Sequence, residues 1–389
     1  MDKQCSSFVS SFIHLSMNYS QRQTELNAQF RLGIDTHLDE SNIDIRFCSF
    51  KSSAYTYPNE KVTISSEDKK IEENLTFTYP VFMPREANKP GKAILLLHGL
   101  NERNWSKYLT WAEYLCKETG KPVILFPIAF HMNRSPVSWS NPRALQNLMD
   151  LRRKNNGLDR SLSFANVALS ERISQNPARF YNSGRQSLCD LAQLFRDIKE
   201  GRHQLLAENT QIDIFSYSIG SFLSQITVMT NPDGLFSDSK LFMFCGGSIF
   251  SSMFGESRSI MDKPAFARLL HYYMTDFAED VKSKSLVDKG FESFFSMISP
   301  DKNKTEREEF FKKIGAKIEG ISLKKDMVIP YRGVVEALGE DNAKSRISLL
   351  DFSFPYSHEN PFPIGNHAES SEVDASFNRV FERAAQFLA

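Results

Sequence analysis

The chain has 389 residues, and its 47 Lys and Arg balance its 47 Asp and Glu, so the formal net charge is zero. This balance gives no support to nucleic acid or an anionic membrane surface as the main partner, because both attract an excess of basic side chains. No window approaches the roughly 18 apolar residues of a membrane span, and residues 1–14 lack the basic leader and clean apolar run of a secretory signal peptide.

The first 60 residues are predicted to be an N-terminal extension to a domain over 61–389. They carry no recognisable chemistry, although residues 43–49 have the composition of a strand. Two further strands are predicted at 61–66 and 75–83, the second from its alternating Leu-Thr-Phe-Thr-Tyr. The chemistry is therefore expected in the domain that follows.

Two short apolar runs flank a helical pattern in the next part of the chain. Residues 92–97 are continuously apolar after the first lysine and end at His98-Gly99, and residues 122–128 form a similar run. Runs of this kind are typical of strands buried on both faces of a parallel sheet. The apolar spacing between them predicts a helix over 105–119, so the segment is a parallel strand–helix–strand unit.

Apolar periodicity weakens in two long segments, at about 129–182 and 248–315. We interpret both as insertions that lie over the carboxyl ends of the strands as a lid or cap. The remaining pattern alternates strands and helices, with Ser183 as the cap of one helix and a capping box from Ser371 to Asp374 in another. The predicted strands are 211–215, 240–245, 316–323 and 345–352, and the helices are 184–200, 221–230, 331–338 and 371–388.

The turn from Ser216 to Gly220 joins a predicted strand to a predicted helix. A small residue, any residue, serine, any residue and glycine in that setting form a nucleophile elbow, which raises the serine hydroxyl above the sheet edge. The five letters alone occur by chance, so the argument rests on what surrounds them. A serine needs a base to take its proton and an acid to orient the base.

In an open parallel sheet those partners must follow later strands, because the carboxyl ends of the strands share one edge. Asp326 follows the strand predicted at 316–323, and His358 follows the last strand. Asp351 is a rival acid that belongs to the last strand, and His367 is a rival base nine residues after His358. We favour Asp326 for its position after a strand and His358 because it comes sooner.

The chain order Ser218, Asp326, His358 resembles that of the α/β-hydrolase superfamily. The run Lys-Asp-Met-Val-Ile-Pro at 325–330 also looks like the acid loop of that superfamily. The resemblance covers about 61–389 outside the insertions, and it departs at Ser216, where the superfamily more often has glycine. It implies an α/β-hydrolase fold, with a mostly parallel sheet flanked by helices and a helical cap, and a serine hydrolase activity of the esterase or lipase kind.

A tetrahedral oxyanion also needs two N–H donors held in place before the reaction. The residue after the nucleophile, Ile219, supplies one of them. The His98-Gly99-Leu100 loop resembles the loop that supplies the other, so the N–H of Leu100 is the second candidate. Gly99 lets the backbone turn so that this N–H points inward.

Several residues at the same edge of the sheet are candidates for contact with a substrate. Arg103 or Arg134 would bind a carboxylate or phosphate through two hydrogen bonds, unless each pairs with a nearby acid instead. Tyr217, beside the nucleophile, lines the pocket or packs in the core. The full set of substrate-binding candidates is Asn101, Arg103, Trp105, Arg134 and Tyr217.

The leading hypothesis is therefore a serine hydrolase that cleaves a carboxylic ester of a small-molecule acyl substrate. An acyltransferase would use the same three residues, and a catalytically silent scaffold would keep the fold for binding alone. Neither a cofactor nor a metal is predicted, since no dinucleotide motif, zinc motif or P-loop is present. The five scattered cysteines suggest no disulfide framework and favour a cytoplasmic location.

Overall fold

The computed structural model describes residues 18–54, 67–157, 159–365 and 369–389, so the strand predicted at 61–66 and the rival base His367 lie outside the described residues. Within these ranges the chain forms nine β-strands and fourteen α-helices. The strands are β1 (Thr36–Leu38), β2 (Ile43–Lys51), β3 (Thr76–Pro84), β4 (Lys92–Leu97), β5 (Val123–Leu125), β6 (Gln211–Tyr217), β7 (Leu241–Phe244), β8 (Ile318–Leu323) and β9 (Ile347–Leu350).

Helices separate most of the strands along the chain. They are α1 (Tyr19–Gln29), α2 (Glu72–Leu75), α3 (Leu109–Thr119), α4 (Pro142–Asn156), α5 (Val167–Gln175), α6 (Ala178–Lys199), α7 (Ile219–Thr230), α8 (Lys263–Thr275), α9 (Phe277–Ser283), α10 (Lys289–Ser296), α11 (Lys304–Lys313), α12 (Tyr331–Leu338), α13 (Glu340–Arg346) and α14 (Ser370–Leu388). No helix among the described residues has the length and apolarity needed to cross a bilayer.

All nine strands belong to one sheet, in the order β1-β2-β3-β5-β4-β6-β7-β8-β9. The pairs β1–β2, β2–β3 and β3–β5 are antiparallel, and the five pairs from β5–β4 to β8–β9 are parallel. The exchange of β4 and β5 in this order places β4 directly beside β6, with Leu97 opposite Ser216. The end of β4 therefore lies next to the predicted nucleophile elbow.

The sheet is buried on both faces, as the apolar run of β4 predicts. The residues of β4 alternate between two apolar cores: Leu95 and Leu97 face one core, while Ile94 and Leu96 face the other. Helices α6 and α7 contribute to the first core, and α1, α3 and α14 to the second. A sheet with this strand order, antiparallel at its first strands and parallel from β5 to β9, between two helical layers is the α/β-hydrolase fold, so the predicted fold class is confirmed.

Two predicted helix caps are wrong. Ser183 lies inside α6, which begins five residues earlier at Ala178, and its hydroxyl donates to the carbonyl of Ala129 instead of capping the helix. Helix α14 begins without a side-chain cap. Asp374, predicted to complete a capping box there, accepts hydrogen bonds from the backbone N–H and hydroxyl of Ser20 and so ties α14 to α1.

The two segments interpreted as insertions contain helices that pack on each other. The segment 129–182 includes α4 and α5, and the segment 248–315 includes α8 to α11. Arg152 of α4 makes a bidentate ion pair with Asp262, at 2.5 and 2.7 Å, and Asp262 also caps α8. This buried pair fixes α4 to the start of α8.

The segment predicted as an N-terminal extension joins the sheet through β1 and β2, and α1 packs on α3 and α14. Arg22 of α1 donates twice to the buried carboxylate of Glu113 in α3, at 2.9 and 2.6 Å. Residues 18–54 are therefore packed against the layers that surround the sheet.

Candidate active site

Strand β6 ends in a tight turn at Ser218, and α7 begins at the next residue. Ser218 has φ 56° and ψ −123°, a conformation that is uncommon for a residue with a side chain. Gly220 allows the turn, because a Cβ atom there would lie 2.7 Å from the carbonyl oxygen of Leu97 and 2.8 Å from that of His98. The start of α7 is thus pressed against the end of β4.

Ser216, the departure from the superfamily pattern, is fully buried under this turn. Its hydroxyl oxygen lies 3.0 Å from the Ser221 hydroxyl and 3.2 Å from the carbonyl oxygen of Phe242. Gly246 leaves room for Ser221, since a Cβ atom at that glycine would lie 2.3 Å from the Ser221 hydroxyl. The buried serine is accommodated because its hydroxyl has partners.

Ser218, His358 and Asp326 form a hydrogen-bonded row. The hydroxyl oxygen of Ser218 lies 2.7 Å from His358 Nε2, and His358 Nδ1 lies 2.8 Å from Asp326 Oδ2. All three residues are buried. The rival acid Asp351 is on the surface, where Lys325 and Tyr356 contact its carboxylate.

The acid loop after β8 fixes the carboxylate of Asp326. Its second oxygen, Oδ1, accepts the backbone N–H groups of Val328 and Ile329 at 2.9 and 2.8 Å. Cys245, at the end of β7, lies beside the same carboxylate; burial and this negative charge raise the pKa of its thiol well above the usual range. Asp326 Oδ2 therefore presents a fixed acceptor, which selects the His358 tautomer with a proton on Nδ1.

Tyr217 holds His358 rather than facing a pocket. Its ring is nearly parallel to the imidazole, with 5.4 Å between the ring centroids, and its hydroxyl donates to the backbone carbonyl of His358. The side chain is almost completely buried. The predicted substrate contact of Tyr217 is therefore replaced by contact with the histidine.

The His98 side chain fixes the loop after β4 through hydrogen bonds to two backbone groups. His98 Nε2 accepts the backbone N–H of Ile128 at 2.9 Å, and His98 Nδ1 donates to the carbonyl of Gly99 at 2.8 Å. Burial holds the pKa of His98 well below its usual value, so this imidazole is neutral. Among the described residues, the N–H groups of Leu100 and Ile219 donate to no backbone or side-chain acceptor.

A cleft with two chambers adjoins this loop, and Leu100, His131, Phe180 and Ser183 border both chambers. The apolar chamber, of about 550 Å³ including its opening, is lined by Leu100, Ile219 and side chains of α6, α7 and α10. The polar chamber, of about 580 Å³ including its opening, is lined among others by Asn101, Arg103, His131, Trp139, Arg172 and Arg179.

Two of the predicted substrate-binding residues line the polar chamber. Asn101 has φ 61°, and its amide donates to the carbonyls of Ala165 and Ser259. Arg103 is half-buried and also reaches the Ala165 carbonyl. These contacts join the loop after β4 to both of the segments 129–182 and 248–315.

Two other candidates are inside the protein. Trp105 is buried, and its ring meets the His98 imidazole edge-on. Arg134 is fully buried, stacks on Phe77 and donates to the carboxylate of Asp190 at 2.6 Å. The substrate-binding prediction for Arg134 is therefore corrected: the arginine pairs with an internal acid, which was the alternative that the sequence left open.

The sequence did not point to Phe180, Arg172 or Arg179 as walls of the cleft. All three belong to the segment 129–182, where helical periodicity is weak, and no motif distinguishes them. His131, which follows β5, also borders both chambers. Within the described residues, no group of three or more His, Cys, Asp or Glu side chains is arranged to hold a metal ion.

The strand order, the elbow after β6 and the order of serine, acid and histidine along the chain define this protein as a member of the α/β-hydrolase superfamily. A model of the family of unknown function DUF6051 matches residues 53–389, and the chain belongs to that family. No curated protein matches it.

Similar solved structures include several esterases. An S-formylglutathione hydrolase from Agrobacterium tumefaciens is 14% identical with a TM-score of 0.46, covering 92% of this chain and 100% of its own. A cold-adapted esterase from an Arctic intertidal metagenomic library is 12% identical with a TM-score of 0.43 and the same coverages. A Pyrobaculum calidifontis esterase is 11% identical with a TM-score of 0.42, covering 95% of this chain and 90% of its own. At these values the fold assignment rests on the topology of the chain itself.

Proposed function

We propose that the protein is a serine hydrolase that cleaves a carboxylic ester through an acyl enzyme on Ser218. The observation that carries this proposal is the hydrogen-bonded row from Ser218 through His358 to Asp326, at 2.7 and 2.8 Å. A serine, an imidazole and a carboxylate at these distances form the arrangement that activates a hydroxyl for attack on a carbonyl.

In the first half of the reaction, the Ser218 oxygen attacks the carbonyl carbon of the ester. His358 Nε2 accepts the serine proton and then gives it to the leaving alcohol oxygen as the carbon–oxygen bond breaks. Asp326 keeps the imidazole in the reactive tautomer and stabilises the imidazolium that forms. Water then attacks the acyl enzyme by the same proton transfers in reverse, releasing the acid.

The N–H groups of Leu100 and Ile219 are the proposed donors to the oxyanion. Three observations support this pair: neither N–H has a protein acceptor among the described residues, Gly220 presses α7 against the end of β4, and both residues line the apolar chamber. Donors held in advance in this way are worth about 3 kcal/mol each toward the transition state.

The direct test is labelling with a fluorophosphonate, which reacts with activated serines. We expect wild-type protein to be labelled and Ser218→Ala to lose the label together with hydrolysis of p-nitrophenyl butyrate. Ser224→Ala is the matched control, because that hydroxyl lies on the same helix and donates only to the carbonyl of Gly220. An unlabelled wild-type protein, or equal labelling of Ser218→Ala, would contradict the proposal.

A further arm addresses the acyltransferase and scaffold alternatives. If the protein is an acyltransferase, the acyl enzyme will react with added short alcohols faster than with water, so the ester product will form faster than the free acid. If the fold serves binding alone, neither labelling nor turnover will be seen with correctly folded wild-type protein.

A further inference from the structure

The polar chamber contains three arginines, but they differ in how their charge is balanced. Both oxygens of the buried Asp68 carboxylate are occupied, one by Arg172 and the other by Arg179, each at 2.9 Å. Burial alone would raise the pKa of Asp68, yet the two arginines outweigh it and hold the pKa below its usual value. These three side chains form an internal ion cluster.

Arg103 is different, because it makes no ion pair with any described residue. Its guanidinium donates to the backbone carbonyls of Trp139 and Ala165 and to the amide oxygen of Asn101, all of which are neutral acceptors. Three of its five N–H donors are used in this way. The remaining two have no partner among the described residues, and the side chain lines the chamber.

No neighbouring residue among those described balances the positive charge of Arg103. Glu102 also lines the chamber, but its charge is balanced by Lys107: its Oε1 accepts from Lys107 Nζ at 2.5 Å and from the Tyr108 hydroxyl at 3.0 Å. His131 is neutral, since burial lowers its pKa to about 4. Burial also lowers the pKa of Arg103, as expected for a cation removed from water without a compensating anion, although a guanidinium stays charged at neutral pH.

We propose that Arg103 binds a carboxylate carried by the substrate, so that the ester hydrolysed by this protein is monoanionic. The single uncompensated charge of the guanidinium matches the charge of one carboxylate, and each of the free N–H donors, on Nε and Nη1, can form a charge-assisted hydrogen bond to an anion. A phosphate dianion would meet only half its charge at Arg103, because the charges of Arg172 and Arg179 are balanced by Asp68 and Glu67. The apolar chamber then takes the uncharged part of the same substrate.

The inference rests on the proposed function, because the chamber matters only if the ester reacts at Ser218. Leu100 borders both chambers, and Arg103 follows it by three residues, so their Cα atoms are at most about 11 Å apart. Within this limit, a small dicarboxylic acid monoester or an ester of a hydroxy acid would place its ester group near the Leu100 N–H and its carboxylate near the Arg103 side chain. The anionic group belongs to the acyl part in the first case and to the leaving group in the second.

Two pairs of probes separate these cases. Mono-p-nitrophenyl glutarate is compared with p-nitrophenyl butyrate for an anionic acyl group, and 4-acetoxybenzoate with phenyl acetate for an anionic leaving group. We expect at least one anionic probe to have a higher kcat/KM than its neutral partner. In Arg103→Gln, its kcat/KM should fall about 10- to 100-fold further than that of the neutral partner.

Arg379→Gln is the matched control, since Arg379 is an exposed arginine of α14 that makes no ion pair with a described residue. Arg103→Lys keeps the positive charge without the guanidinium hydrogen bonds and should show an intermediate loss on the anionic probe alone. If Arg103→Gln fails to fold, a salt titration of wild-type protein replaces it: kcat/KM should fall with ionic strength for the anionic probe and stay level for the neutral one.

Equal losses on anionic and neutral probes in folded Arg103→Gln would overturn the inference, because they indicate a structural role for the arginine. The absence of anionic preference in wild-type protein would overturn it as well. Neither result touches the proposed function, which fails separately if Ser218→Ala retains hydrolysis of the neutral probes.

Discussion

The loops after β4 and β5 begin at the same edge of the sheet, yet they serve different purposes. Each carries an arginine that the sequence marks equally for substrate binding. In the first loop, Arg103 meets neutral acceptors and lines the cleft. In the second, Arg134 is enclosed and pairs with Asp190 of α6. The difference comes from α6, which covers the second loop and supplies an acid.

The two loops are also joined to each other. His98 accepts the N–H of Ile128, and Ser187 of α6 accepts the N–H of Ala129. The loop after β5 is therefore fixed to α6, and the loop after β4 packs against it. The residues of the second loop are expected to matter for the free energy of unfolding, and those of the first loop for the reaction.

The largest effect on stability is expected for Arg134→Gln. Removing one member of a buried ion pair leaves the other charge buried, which costs about 3–5 kcal/mol of unfolding free energy. Arg103→Gln removes only hydrogen bonds to neutral acceptors, so we expect a loss of about 1–2 kcal/mol. Urea denaturation of both variants measures the contrast, and Arg379→Gln on the surface is the control.

Replacing both members, as in Arg134→Met with Asp190→Leu, should recover part of the loss, because no charge is then buried alone. Equal destabilisation by Arg134→Gln and Arg103→Gln would contradict the division between a supporting loop and a cleft loop.

A smaller effect should appear as pH dependence from the second loop. Burial lowers the pKa of His131 to about 4, compared with about 6.5 in the unfolded chain. The unfolded state therefore binds the proton more readily, and stability that is fully present above pH 6.5 is lost as the pH falls toward 4. The expected loss from this group is about 2 kcal/mol at pH 5.

Urea denaturation at pH 7 and pH 5 tests this expectation. In His131→Gln the loss between the two pH values should be about 2 kcal/mol smaller than in wild-type protein. His271→Gln, at an exposed position of α8, controls for the substitution itself. An unchanged pH dependence in His131→Gln would show that the imidazole is not held neutral by burial.

Much of the fold was predictable, because the apolar patterns of strands and helices depend on residues that are close together in the sequence. Strand β4 and helix α12 have the predicted bounds, and the elbow lies between β6 and α7. The 15 residues of α4 were missed because their mean character is polar, although Asn141 as a cap and Pro142 at the first turn were available as a signal.

The chemistry of side chains at the sheet edge was only partly predictable. Strand order brings Ser218, Asp326 and His358 together, since each follows a strand of the same parallel sheet. The direction of a side chain depends on partners far along the chain, such as Asp190 for Arg134 and Asp68 for Arg172. No local pattern encodes those pairings.

The central claim, an acyl enzyme on Ser218, is tested most directly by mass spectrometry of protein quenched with acid during turnover of a p-nitrophenyl ester. We expect a fraction of wild-type protein to gain the mass of one acyl group, and peptide mapping to place it on Ser218. His358→Ala should lose this adduct, because the serine then lacks its base. Turnover with no adduct, or an adduct that persists in Ser218→Ala, would contradict the account.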